Sequence, residues 1–207
     1  IDLKNPTADF TMEPAMSEEE CIKAINIGIM NVKKRTDILC LGEMGIGNTT
    51  SASALCHALY GKTANLWTGL GTGVKGKTFK NKIATVASAV NFHKHLIRDG
   101  LDALSRLGGR ELSAIVGAVF AARKMQVPVI LDGFISTSAA AVLEMTQKGA
   151  LDHCLVAHTS TEIGHKHLLK KINKTPLLDL NLRLGEASGA VLSVGLLKAA
   201  VSCHNGM

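Results

Sequence analysis

Three short apolar runs in this chain each end at a turn-forming segment and pass directly into a helical pattern. That recurrence restricts the fold more than any other feature. Ile38-Leu39-Cys40-Leu41 leads into Gly42-Glu43-Met44-Gly45-Ile46-Gly47-Asn48-Thr49-Thr50 and then a small-residue helix over Ser51 to Tyr60. Val127-Pro128-Val129-Ile130-Leu131-Asp132 reads as a buried strand broken by Gly133, with helical periodicity from Ser136 to Lys148. Leu155-Val156-Ala157 stops at His158-Thr159-Ser160, before a helix over Thr161 to Lys171. Strands alternating with helices predict an α/β chain: a parallel, Rossmann-like sheet with helices on both faces.

The flanking segments fill in this frame. Ser17-Glu18-Glu19-Glu20 forms a capping box, with acids near the positive end of the helix it opens. Ile22, Ile25, Ile29 and Val32 supply that helix's apolar spacing, and Thr36-Asp37 break it. Further helices are expected from Lys82 to Arg98 and from Glu111 to Met125, and Leu177-Leu178-Asp179-Leu180 is extended or irregular. Gly185-Glu186 leads a last helix through Ala200. The expected organisation is an N-terminal helical segment over 1–36 packing with a small domain, an α/β unit over 37–185, and a C-terminal helix over 186–207 that completes the site. The opening Ile1-Asp2-Leu3-Lys4-Asn5-Pro6 reads like the interior of a longer protein.

Composition narrows the class. With 207 residues, 46% hydrophobic and 19% charged, the chain can bury a core, which excludes wholesale disorder. Only 3% aromatic content beside 20 glycines suits close helix–sheet packing rather than a β-sandwich. The net charge of +6 favours anionic partners, but without aromatic interleaving or a basic block it does not indicate nucleic acid. The five cysteines are odd in number and lack a CxxC pair, which points to a reducing, cytoplasmic setting. No apolar run reaches the roughly 18 residues of a membrane span, so no membrane partner is expected.

In a parallel sheet, ligands bind beyond the carboxyl ends of the strands. The loops Gly42–Thr50, Asp132–Ser138 and His158–Gly164 all lie there and predict one shared pocket. The first loop nearly matches the phosphate-loop pattern GxxxxGK[ST], with Gly42, Gly47 and Thr49 in place but Asn48 where lysine would stand. Bent backbone N–H groups over Gly45, Ile46, Gly47, Asn48 and Thr49 suit phosphate at a helix N-terminus. Without the lysine, a monophosphate fits better than a triphosphate. Gly71-Thr72-Gly73-Val74-Lys75-Gly76 satisfies GxGxxG without a preceding strand, which leaves a second phosphate or ribose loop, or plain flexibility. Lys82 is within reach of a phosphate or else solvated. Glu43 and Glu186 are either helix-end caps or proton acceptors. The pairs His93/His95 and His165/His167 diverge at i,i+2 on helices, so no metal is expected.

Taken together, Gly42–Thr50, Gly71-Thr72-Gly73-Val74, Leu131-Asp132-Gly133-Phe134, His158–His165 and Leu182–Ala190 resemble the nicotinate-nucleotide–dimethylbenzimidazole phosphoribosyltransferase family. The resemblance implies transfer of the phosphoribosyl group of nicotinate mononucleotide to 5,6-dimethylbenzimidazole, giving α-ribazole 5′-phosphate and nicotinate, in cobalamin biosynthesis. A mononucleotide-binding module without turnover is the alternative. The resemblance places the catalytic base at Glu186, in an expected dry pocket, and a second acid at Glu43. It places the phosphate on Gly45–Asn48 and Lys82, with Gly133 and Ser160 nearby. It also implies a homodimer, no cofactor, and family members extended by an N-terminal segment that contributes to the small domain and to benzimidazole contacts.

Overall fold

The structure, a computed structural model, describes residues 6–206; Ile1–Asn5, which hold most of the opening stretch, and Met207 lie outside the described residues. Strands β1 (Leu39–Leu41), β2 (Val129–Leu131), β3 (Cys154–His158) and β4 (Pro176–Leu178) form a four-stranded sheet in the order β1-β2-β3-β4. Every pairing is parallel, with Cys40 opposite Ile130, Ile130 opposite Leu155 and His158 opposite Leu178. The segment around Leu177 is thus a strand, and its Pro176 sits at the strand start on a sheet edge, where a missing N–H is tolerated.

Period-two alternation sorts the strand side chains between two layers. Val129, Leu131 and Val156 point into the main core, which they share with Leu55, Leu112, Val116 and Ala140. Those partners come from α2 (Asn48–Tyr60), α6 (Arg110–Lys124) and α7 (Phe134–Thr146). Ile130 and Ala157 point the other way, onto Ala190, Val194 and Leu197 of α9 (Ser188–Asn205). Helices therefore cover both faces, as the alternating pattern predicts. The remaining helices are α1 (Glu18–Asn31), α3 (Ala64–Trp67), α4 (Gly76–His93), α5 (Gly100–Leu107) and α8 (Ile163–Lys171). No helix among the described residues is long and apolar enough to cross a membrane.

The capping box at Ser17 is present in full: Glu20 N–H donates to Ser17 Oγ at 3.1 Å, and Ser17 N–H donates to Glu20 Oε2 at 2.9 Å. The packed face of α1 follows the apolar spacing only in part: Ile25, Ile29 and Val32 meet the core. Cys21, Ala24 and Gly28 are buried, whereas Ile22 is 49% exposed. Close backbone approach explains the shift. A Cβ on Gly28 would stand 1.9 Å from Ala114 O, and one on Gly117 would stand 1.9 Å from Ile25 O. The two helices meet through these glycines, so small residues occupy the centre of the contact.

Two helix starts also differ from the periodicity. α4 begins at Gly76, six residues before Lys82, because extended Lys75 and left-handed Gly76 (φ +59°) turn the second glycine loop directly into helix. α5 has a capping signal of its own, Asp99 Oδ1 accepting from Asp102 N–H at 2.8 Å. Its buried Gly100, Ala103, Leu104 and Leu107 face the core.

Candidate functional site

The sheet's hydrogen-bond ladder runs on past the strands and holds the loops level at one end. Asp132 N–H donates to Leu41 O at 3.0 Å, and Thr159 N–H donates to Leu178 O at 2.9 Å. The loops after β1, β2 and β3 therefore converge, as a parallel sheet requires. They enclose a cavity of about 150 Å³ whose wall includes Glu43, Asn48, Lys82, Asp132, His158 and Ser160. A larger groove of about 920 Å³, lined by residues of α1, α6 and β1, lies across the first glycine loop, so that Glu43, Gly45, Gly47 and Asn48 border both spaces.

Helix α2 begins at Asn48, with Gly47 left-handed at φ +86° and no side-chain cap. Its first N–H groups and its positive dipole end are thus unopposed by any capping side chain, a favourable seat for an anion. The preceding residue pattern is occupied differently. Glu43 folds back inside its own loop: its Oε2 accepts from Gly45 N–H at 2.9 Å and from the Asn48 side-chain amide. The Gly45 N–H is therefore engaged by Glu43, and the asparagine that stands in the lysine position of a phosphate loop restrains that carboxylate instead.

Lys82 supplies the cation at this end of the cavity. Its Nζ donates to Thr49 Oγ1 at 2.8 Å and to Gly69 O at 2.9 Å, which bridges the two glycine loops. Gly71 makes room for it. At φ +56°, a Cβ there would lie 2.8 Å from Thr49 Oγ1 and 3.2 Å from Lys82 Nζ. Gly71 N–H donates to Glu162 Oε1 at 2.7 Å, and Arg183 Nη2 donates to Gly71 O at 3.3 Å. The second glycine loop is thus held by residues 91 and 112 positions away in sequence.

Burial moves both charged groups toward neutrality. It pushes the Glu43 carboxyl above its ordinary value, opposed by the bonds from Asn48 and Gly45 and reinforced by Glu111 and Asp132. It holds the Lys82 ammonium below its ordinary value, with Glu162 pulling it back up. Beside Ser160, burial pushes His165 down to about 3. His165 is neutral: Nδ1 accepts from Ser160 N–H at 2.9 Å, and Nε2 lies 3.2 Å from Thr137 Oγ1. This histidine orients Ser160 rather than pairing with His167.

Of the residues singled out by sequence, the cavity wall brings together Glu43, Gly45, Gly47, Asn48, Thr49, Gly71, Thr72, Lys82, Gly133 and Ser160. It does not include Ile46, Gly73 or Glu186. Ile46 is 93% exposed and borders the larger groove. Glu186 lies alongside, its N–H donating to Glu43 O at 3.0 Å, but its side chain is exposed. Of the two acids, Glu43 is the more buried. The backbone explains this: Gly185, Glu186 and Ala187 are left-handed in succession, at φ +80°, +57° and +60°. That turn presses on Gly42, where a Cβ would come 2.0 Å from Ala187 N. Two consecutive non-glycine residues in this conformation concentrate strain next to the cavity.

Asp132, Ser136, His158, Thr161, Glu162 and Arg183 also line the wall without having been assigned a role from sequence. Asp132 and His158 had a legible signal, since each stands at the carboxyl end of a strand; Arg183 had none.

Known proteins resemble this chain over nearly its whole length. A phosphoribosyltransferase family matches residues 2–207. The chain is 52% identical over 205 residues to the nicotinate-nucleotide–dimethylbenzimidazole phosphoribosyltransferase of Agrobacterium fabrum, covering 99% of this chain and 60% of that protein. Its counterpart in Sinorhizobium medicae is 51% identical over the same length, covering 99% and 61%. Among solved structures, CobT from Thermus thermophilus superposes with a TM-score of 0.89 at 38% identity, over 94% of this chain and 59% of that one. The chain thus spans about 60% of the length of these relatives.

Proposed function

The chain belongs to the nicotinate-nucleotide–dimethylbenzimidazole phosphoribosyltransferase family, and from that premise we propose that the protein it forms transfers the 5-phosphoribosyl group of nicotinate mononucleotide to 5,6-dimethylbenzimidazole. The products are α-ribazole 5′-phosphate and nicotinate. One juxtaposition carries this reading: a helix N-terminus with Lys82 at one side of a small cavity, and the half-buried carboxylate of Glu43 in the same wall.

The arrangement suits the chemistry. The 5′-phosphate rests on the N-terminus of α2 and on Lys82, whose bonds to Thr49 and Gly69 hold it in place before substrate arrives. Nicotinate leaves as its C1′–N bond breaks. The bonding pair returns to a pyridinium nitrogen and neutralises it, so the leaving group needs no proton donor. C1′ becomes oxocarbenium-like, and a carboxylate beside it is stabilising. The unprotonated ring nitrogen of the benzimidazole attacks the opposite face, converting a β-nucleotide to an α-riboside. A carboxylate takes the proton from its other nitrogen.

Glu43 and Glu186 are the two carboxylates proposed for that work. The elevated pKa of Glu43 brings it nearer the working pH, which favours proton acceptance. Glu186, one residue beyond Gly185, is the base that the family resemblance implies. The reading is tested by incubating the intact protein with both substrates and separating α-ribazole 5′-phosphate by chromatography. Glu43→Gln and Glu186→Gln are each expected to lower turnover by about 10²–10⁴-fold, with nicotinate mononucleotide affinity changed only a few-fold. Tight nucleotide binding without product would instead support the binding-module alternative. Full turnover in both variants would remove the carboxylates from the mechanism.

A further inference from the structure

Apart from His158, the buried histidines among the described residues each engage at least one ring nitrogen. His165 uses both, and His93 uses Nε2, 2.9 Å from Phe10 O, while its Nδ1 is open. His158 is different. It is 1% exposed, and neither Nδ1 nor Nε2 has a hydrogen-bond partner among the described residues. Buried polar groups are normally paired, so an imidazole with two open nitrogens calls for a specific partner.

Its surroundings are built rather than accidental. His158 ends β3 and Asp132 directly follows β2, so both stand at the cavity end of neighbouring strands and both line its wall. Asp132 is also 1% exposed, and its Oδ1 accepts from Ala190 N–H at 2.9 Å, in the first turn of α9. His158 Nε2 lies 3.7 Å from that oxygen, which orients the ring without a direct hydrogen bond. Two glycines admit the ring: a Cβ on Gly189 would lie 2.2 Å from His158 Cδ2, and one on Gly133 would lie 3.3 Å from His158 Nε2. Either side chain would crowd the imidazole.

From this, and resting on the phosphoribosyl reading above, we infer that His158, oriented by Asp132, is a substrate-contacting residue that receives the ribose hydroxyls. In any nucleoside 5′-phosphate the sugar lies between phosphate and base. With phosphate on Lys82 and base toward Glu43, the furanose meets the floor formed by Asp132 and His158. The imidazole nitrogens of His158 can donate or accept, and the carboxylate of Asp132 offers further acceptors. Those groups match a vicinal diol, whose two hydroxyls each donate and accept.

The test uses sugar phosphates so that it stands apart from the identity of the base. Affinities of the intact protein for inorganic phosphate, ribose 5-phosphate, and its 2-deoxy and 3-deoxy analogues are measured by calorimetry. The wild type is expected to prefer ribose 5-phosphate to at least one deoxy analogue by about tenfold, equivalent to about 1.4 kcal/mol. His158→Phe keeps a ring between Gly133 and Gly189 but removes both nitrogens. It is expected to abolish the preference while binding inorganic phosphate like the wild type, which marks it as folded. His158→Ala is expected to do the same, and His158→Gln to restore part of the preference. A wild type indifferent to the hydroxyls, or a folded Phe or Ala variant that keeps the wild-type ratio, overturns the inference. Failure to bind or turn over nicotinate mononucleotide, with the ribose preference intact, counts against the proposed reaction instead.

Discussion

Two glycines at positive φ allow the Lys82 seat to be separated from backbone strain. Gly71 has φ +56°, and Gly61 has φ +66° with ψ −144°, so an alanine at either is strained by about 1–3 kcal/mol. For a chain of this size that lowers the melting temperature by roughly 2–4 °C per kcal/mol. Space distinguishes the two sites. A Cβ on Gly61 would meet nothing within 4 Å, whereas one on Gly71 would meet Thr49 Oγ1 at 2.8 Å and Lys82 Nζ at 3.2 Å. Thr49 and Lys82 must then give way by a few tenths of an ångström, lengthening the 2.8 Å and 2.9 Å bonds that hold the lysine. A charged hydrogen bond contributes about 1.5–3 kcal/mol. Losing about half of one to misplacement weakens phosphate binding by roughly tenfold.

Gly71→Ala and Gly61→Ala should therefore both melt below the wild type, while only Gly71→Ala loses affinity for inorganic phosphate and nicotinate mononucleotide. Calorimetric titration beside thermal melts measures both quantities. Wild-type affinity in Gly71→Ala, or an equal loss in Gly61→Ala, would refute the steric argument and with it the role given to Lys82.

Two further predictions concern stability. Gly117→Ala places a methyl 1.9 Å from Ile25 O and must part α1 from α6; urea unfolding should show a loss of about 1–3 kcal/mol, and a neutral variant would mean that the helices do not meet there. His165 has its pKa pushed down to about 3 by burial, so the unfolded chain binds a proton below about 6.5 that the folded chain refuses. This contribution to stability is present above that pH and is lost as pH falls toward 3, by up to about 1.4 kcal/mol per unit. Urea unfolding between pH 6 and pH 4 should show a shallower decline in His165→Gln, and equal slopes would contradict a buried neutral ring.

Most of the architecture was legible because its signals are local. The capping box at Ser17, the strand over Leu39–Leu41 with its glycine loop, and the strand before Asp132 each sit within a dozen residues. Turn chemistry and apolar periodicity act at that range. The parallel sheet followed from their alternation, and the shared pocket followed from the sheet. The apolar spacing of α1 gave part of its packed face: Ile25, Ile29 and Val32 meet the core, but Gly28 and Gly117 let backbones approach so closely that small residues take the centre. Helix α5 was not expected from the sequence, although Asp99 caps it and Ala103, Leu104 and Leu107 repeat at helical spacing.

By itself, then, the chain's order of residues determined the layers, the end of the sheet where loops gather, and the glycine turn that opens α2 without a capping side chain, since each depends on neighbours along the backbone. Only the folded arrangement decided which groups there are buried, paired or left open. Glu43 becomes half-buried because Asn48 and Gly45 bind it, while Glu186 is turned outward by three left-handed residues. His158 and Asp132 meet 26 residues apart in sequence because β2 and β3 are adjacent strands, and α9 returns to hold the aspartate. Proton affinity and hydrogen-bonding need are properties of an environment, and here that environment is assembled from segments remote along the chain.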